Sequence, residues 1–152
     1  MSDAETAAFA ERIRARYPEG LTGILAIGGT RTAYILERRR GHADPGQIED
    51  YVDYAQYTLE QYLRLIGLFF ELGGTNLIIP PLSYQAFYER GEEYAQIILN
   101  HTLLLISEPA LELYERLGID PFFVGIDTLL HLPESVPFHE LGARLHQFHQ
   151  EW

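Results

Sequence analysis

Neither lysine nor cysteine occurs in this chain of 152 residues. Without cysteine there are no disulfides, no thiolate metal ligands and no thiol nucleophile. Without lysine there is no amine for a Schiff base and no P-loop lysine. All 11 basic residues are arginine. The planar arginine fork suits multidentate capture of phosphate oxygens, although an all-arginine set also follows from genomic base composition. Positive charge is itself scarce: 22 acidic residues leave a formal net charge of −11. Such a field repels polyanions, so nucleic acid is not an expected partner, and any anionic ligand needs a local basic cluster. Long apolar runs are missing as well. None reaches the roughly 20 residues that cross a bilayer, and "MSDAETAAFAERIRARYPEG" carries no apolar signal-peptide core. A soluble cytoplasmic protein is expected.

The chain does have a hydrophobic fraction of 47%, enough for a real core in a single domain spanning residues 1–152. Phe9 and Ile13 recur at helical spacing in residues 4–16, and "YPEG" ends that helix. "TGILAI" at 22–27 reads as a buried parallel strand. From "ADPGQIEDY" onward, Ile48, Val52, Ala55, Leu59, Leu63 or Tyr62, Ile66 and Phe69 or Phe70 form one apolar stripe, closed by Gly73-Gly74. "TNLIIPPLS" reads as a second strand, Tyr84–Ile106 as a long helix, and Ser107 as the N-cap of a third that stops at Gly118. "DPFFVGID" reads as a third strand, "HLPESVP" as a loop, and 138–151 as a final amphipathic helix. Strands alternating with helices predict an α/β fold, a parallel sheet with helices on both faces. Ligands bind such sheets beyond the carboxyl ends of the strands. Three loops meet that description: Gly28–Thr32, Pro80–Tyr84 and Gly125–Thr128.

The first of these loops carries the most chemistry. Gly28 and Gly29 let an anion approach backbone N–H groups, Thr30 adds a hydroxyl and Arg31 a fork of donors. A plain strand-to-helix turn has the same residues. Arg38-Arg39-Arg40 with Gly41-His42 is the densest positive charge in the chain, either a diphosphate holder or a solvated flank. Arg90 follows the second strand, as a site residue or an ordinary ion-pair partner. His139, His146 and His149 share the last helix, and His146 and His149 have metal-ligand spacing without an obvious third ligand. Asp127 is a catalytic carboxylate or a turn residue. Tyr51, Tyr54, Tyr57, Tyr62, Phe69 and Phe70 suit either a core or an aromatic groove.

Three blocks together carry a resemblance: "GGTRTAY", "LIIPPLSYQAFYERGEEY" and "FFVGIDTLLHLPES". From about Leu25 to Ser135 their order and spacing resemble the N-terminal half of the cis-prenyltransferase (undecaprenyl diphosphate synthase) superfamily. Within it they are most similar to the branch that includes tuberculosinol and kolavelool synthases, which act on a bicyclic diterpenyl diphosphate. The resemblance implies a cis-prenyltransferase-like fold, truncated here, since family members exceed 200 residues. It implies a prenyl or diterpenyl diphosphate substrate, held by Gly28, Gly29, Thr30, Arg31, Thr32, Arg39 and His42. Arg31 and Arg90 would be the catalytic cations, and Tyr34, Phe69, Phe70 and Tyr84 would line the prenyl cavity. It further implies Mg²⁺ as a cofactor to consider, a homodimer or heteromeric partner, and peripheral contact with isoprenoid lipids.

Two positions depart from the family pattern. Gly28 stands where the family has its central aspartate, and Thr32 where it has a second arginine. The expected activity is loss of diphosphate from an allylic substrate. The alternative is a catalytically inactive subunit that keeps the anion loop and acts through a partner.

Overall fold

The computed structural model of the chain describes residues 2–26, 29–38, 48, 50–80, 96 and 99–152. Where the sequence suggests one domain, the contacts separate two compact units, Met1–Pro81 and Leu82–Trp152. Among the described residues, no helix is long and apolar enough to cross a membrane.

The first unit begins with helix α1, Asp3–Arg16. The Ser2 hydroxyl accepts from the Glu5 N–H, and the Glu5 carboxylate accepts from the Ser2 N–H. This reciprocal pair satisfies two of the donors a helix start leaves open. Strands β1, Thr22–Ile24, and β2, Asn76–Ile78, then pair in parallel with Gly23 opposite Leu77. Parallel neighbours need a crossover. Among the described residues it contains two helices, α2, Thr30–Arg38, and α3, Tyr51–Glu71. The sequence reading places a loop at Gly28–Thr32, assigns no helix to the stretch that forms α2, and starts α3 near residue 43. In the structure α3 begins at Tyr51, because the Asp50 side chain accepts from the Val52 and Asp53 N–H groups and caps it there.

Gly73 ends α3 in the left-handed region, at φ +97°. The Gly73 N–H donates to the Phe70 carbonyl and the Gly74 N–H to the Phe69 carbonyl, a Schellman closure. Phe69 is wedged against the sheet. A Cβ on Gly23 would lie 2.7 Å from its ring, and one on Gly74 only 2.2 Å from it. The parallel pairing agrees with the sequence reading, but the sheet is two-stranded among the described residues. One of its faces is open there: Ile24 and Ile78, paired across the strands, are 73% and 54% exposed.

The described residues of the second unit are mainly helical. Residues 99–103 are helical and pass into a 3₁₀ turn, Leu104–Ile106. Helices α4, Glu108–Leu117, α5, Ile126–Leu130, and α6, Pro137–Glu151, follow. Leu99, Ile126, Phe138, Leu141 and Leu145 form the core, flanked by Leu103, Phe123, Leu129 and Leu130. Helix α5 lies close against α6 over Gly142, where a Cβ would come within 2.8 Å of the Leu129 Cβ. Gly118, at φ +64°, stops α4 where the sequence places the stop.

The third strand expected at "DPFFVGID" is absent. Residues 119–125 are irregular and Ile126 opens α5. The residues have strand propensity, but the N–H of Phe123 goes to a histidine ring on α6 rather than to a neighbouring strand. Gly125, at φ +88°, then turns the chain into helix. The long helix expected at Tyr84–Ile106 falls partly outside the described residues.

Candidate anion site at the amino end of α2

Helix α2 starts from Gly29, which adopts φ +77°. The Gly29 carbonyl accepts from the Ala33 N–H at 2.9 Å, so glycine occupies the N-cap. A glycine cap brings no side-chain acceptor to the first-turn amides, which have no partners within the helix. The first turn has no acidic residue and does contain Arg31. The positive end of the helix dipole and a guanidinium therefore coincide.

Helix α3 brings its own first turns alongside. The hydroxyls of Thr30 and Tyr54 are hydrogen-bonded at 2.9 Å. The Tyr34 hydroxyl donates to Asp53 Oδ2 at 2.7 Å. Tyr34 is buried, and its ring meets Tyr54 and Tyr57 edge-on at 5.3 and 5.5 Å. Burial, then a hydrogen bond from its hydroxyl to the Glu37 carboxylate, raise the Tyr57 hydroxyl above its ordinary pKa. Arg38 lies over the Tyr57 ring and pairs with Glu60 at 3.6 Å on the surface.

Of the residues proposed from the sequence, Gly29, Thr30, Arg31, Thr32 and Tyr34 come together in the cap and first turns of α2. Phe69 and Phe70 meet edge-on at 5.3 Å, but at the other end of α3. Fifteen residues separate Tyr54 from Phe69, about 22 Å of helix. Tyr34 and Phe69 therefore do not converge on one cavity, and Phe69 fills the space left by two glycines. Gly28, Arg39, His42, Tyr84 and Arg90 lie outside the described residues. Asp127 is exposed in the first turn of α5. Nδ1 of His139 donates to the Leu132 carbonyl, and His146 and His149 bond to Gln150 and to the Phe123 amide.

No family model, curated protein or solved structure matches this chain.

Asp53 is the site residue that sequence reasoning passed over. The signal was available: Asp50 and Asp53 are three apart at a helix start, where carboxylates are favoured. What the sequence does not display is the Tyr34 hydroxyl across from it. Mg²⁺ would find a carboxylate here in Asp53. Among the described residues, however, no three His, Asp or Glu side chains converge, so this donor set does not make a metal cage by itself. Chemically the cluster offers a phosphate-sized group backbone amides, a guanidinium and hydroxyls.

Proposed function

We propose that the chain handles a prenyl or diterpenyl diphosphate, as the cis-prenyltransferase superfamily does, with loss of diphosphate from an allylic substrate. The first turn of α2 supports this reading: a glycine cap, no acidic residue within the turn, and Arg31 in it, following a parallel strand. Arg31 and the amides of residues 29–32 would take the diphosphate oxygens, with Arg39, His42 and Arg90 contributing as the motif resemblance implies. In the reaction the allylic carbon–oxygen bond breaks and its electron pair leaves with the diphosphate. Water or another acceptor captures the carbocation and gives up a proton. Charge stabilisation on the leaving group is the part this cluster supplies. The tyrosines of α2 and α3 provide aromatic faces of the kind that favour a carbocation. The test is incubation with labelled prenyl and bicyclic diterpenyl diphosphates. Released diphosphate supports the enzyme. Absence of both release and calorimetric binding of pyrophosphate defeats the reading.

Three observations favour the second reading, a non-catalytic subunit. The Thr30 hydroxyl is already engaged by Tyr54, and Tyr34 and Phe69 serve in packing. Gly28 stands in the place of the aspartate. A subunit of this kind binds pyrophosphate without releasing it from any substrate. Gly28→Asp distinguishes a site lacking only its carboxylate, which gains turnover, from one that stays inert.

A further inference from the structure

Residues 119–125 link α4 to α5 without regular structure. Their burial alternates: Ile119, Pro121 and Phe123 turn inward, while Phe122 and Val124 are 79% and 89% exposed. The N–H of Phe123 donates to Nε2 of His149 on α6 at 2.9 Å. The same imidazole stacks on Phe122, with centroids 4.9 Å apart and planes 11° from parallel. Phe123 meets Phe148 edge-on and packs on the core of the second unit. A single ring thus ties the segment to α6 by a hydrogen bond and by a stack.

A ring nitrogen that accepts from an amide carries no proton, so His149 is neutral in this arrangement, with its proton on Nδ1. We propose that His149 is an acid-sensitive latch: a proton taken from solvent by Nε2 breaks the bond to the Phe123 amide, and residues 119–125 lift from α6 and uncover Phe123. Protonation sets two N–H donors against each other and leaves a partly buried amide without its acceptor. The imidazolium gains attraction to the Phe122 ring, which is largely in water, and to the tilted Phe123 and Phe148 rings at 5.7 and 6.1 Å, but none of these replaces the acceptor that the Phe123 amide loses.

The neighbouring titratable groups do not offset this. On α6, His146 is bonded to Gln150, Glu151 to Gln147 and His139 to the Leu132 carbonyl. On α5, His131 is bonded to the Asp127 carbonyl. On α4, the Tyr114 hydroxyl donates to the Leu105 carbonyl. Asp120 is exposed on the segment itself. Asp127, Glu108, Glu112, Glu115, Arg116, Glu140 and Arg144 complete the charged groups of these elements. The Phe123 bond is the one hydrogen bond described for His149.

Amide hydrogen exchange of the intact chain, followed by NMR between about pH 8 and pH 5, spans ordinary imidazole titration. After correction for intrinsic rates, protection of the Phe123 amide falls about fivefold to tenfold on acidification, as for one net hydrogen bond. Far-UV circular dichroism stays constant, which marks the opening as local. In His149→Gln the carboxamide oxygen accepts at every pH, and protection stays flat. Unchanged protection in the wild type, or the same fall in His149→Gln, overturns the proposal. If that variant does not fold, the wild type still decides it. The Phe123 amide shift must titrate in step with the His149 ring nitrogens, and independent titration rejects the latch.

Discussion

The hydroxyl of Tyr34 donates to Asp53 Oδ2 at 2.7 Å, joining the second turn of α2 to the first turn of α3 across 19 positions of sequence. The tyrosine is buried and the carboxylate half-buried. Replacing Tyr34 with Phe keeps the ring and its contacts with Tyr54 and Tyr57 but removes a donor to a charged acceptor. Urea denaturation of Tyr34→Phe is expected to show a loss of about 1–3 kcal/mol. Asp53→Asn, which leaves an acceptor for the hydroxyl, is expected to lose less.

Arg31 stands in the first turn of α2. If a diphosphate binds there, Arg31→Ala removes a charge-assisted contact worth about 1.5–3 kcal/mol, or roughly tenfold or more in Kd for pyrophosphate. Arg31→Lys restores the charge but not the fork, so it recovers the affinity only in part. Calorimetry at fixed ionic strength checks both. Equal binding by all three proteins would place the anion elsewhere.

Gly142 lets α5 approach α6. An added Cβ would meet the Leu129 Cβ at 2.8 Å and the Leu130 nitrogen at 3.2 Å, and the latter is backbone that cannot rotate away. Alanine is the better helix former, yet here overpacking wins. Gly142→Ala is expected to destabilise by about 1–3 kcal/mol in chemical denaturation. A stabilised variant would show that α5 shifts freely.

One buried and one half-buried group set opposite arms of the stability profile. Burial pushes Tyr114 up to about 12. Its folded value thus exceeds the unfolded one, so its contribution is present below about pH 10 and is lost as pH rises through the folded value, about 2–3 kcal/mol in all. Tyr114→Phe flattens that alkaline arm and also leaves the Leu105 carbonyl without its donor. Burial lowers His101 below the ordinary 6.5. The unfolded chain then takes up a proton that the folded interior resists, so stability is full above 6.5 and falls as pH drops below it. Thermal melts of His101→Phe and the wild type, compared across that range, test this.

The glycine stops of α3 and α4 were the most legible part of the fold. Gly73 and Gly118 sit in the left-handed region, which side chains disfavour and glycine enters freely, so local sequence marks them. Residues 119–125 were misread for the opposite reason. A run such as Pro-Phe-Phe-Val has strand propensity, but becoming a strand requires a neighbour to pair with, and pairing is non-local. Helix α2 was missed because two glycines and three arginines drew attention to the ends of a nine-residue helix whose buried contact is Tyr34. The residues at its first turn were legible as a group. Asp53 was not, since its importance lies in a hydroxyl that only folding brings to it.

The wedge of Phe69 between Gly23 and Gly74 bears on how this chain can diversify. Three positions, two of them far along the chain from the first, share one volume, so a change of size at one presses on the others. A methyl group at 74 requires a smaller residue at 69, and a smaller residue at 69 opens a void that larger residues at 23 or 74 can fill. The three positions therefore behave as one inherited character, drifting together or not at all.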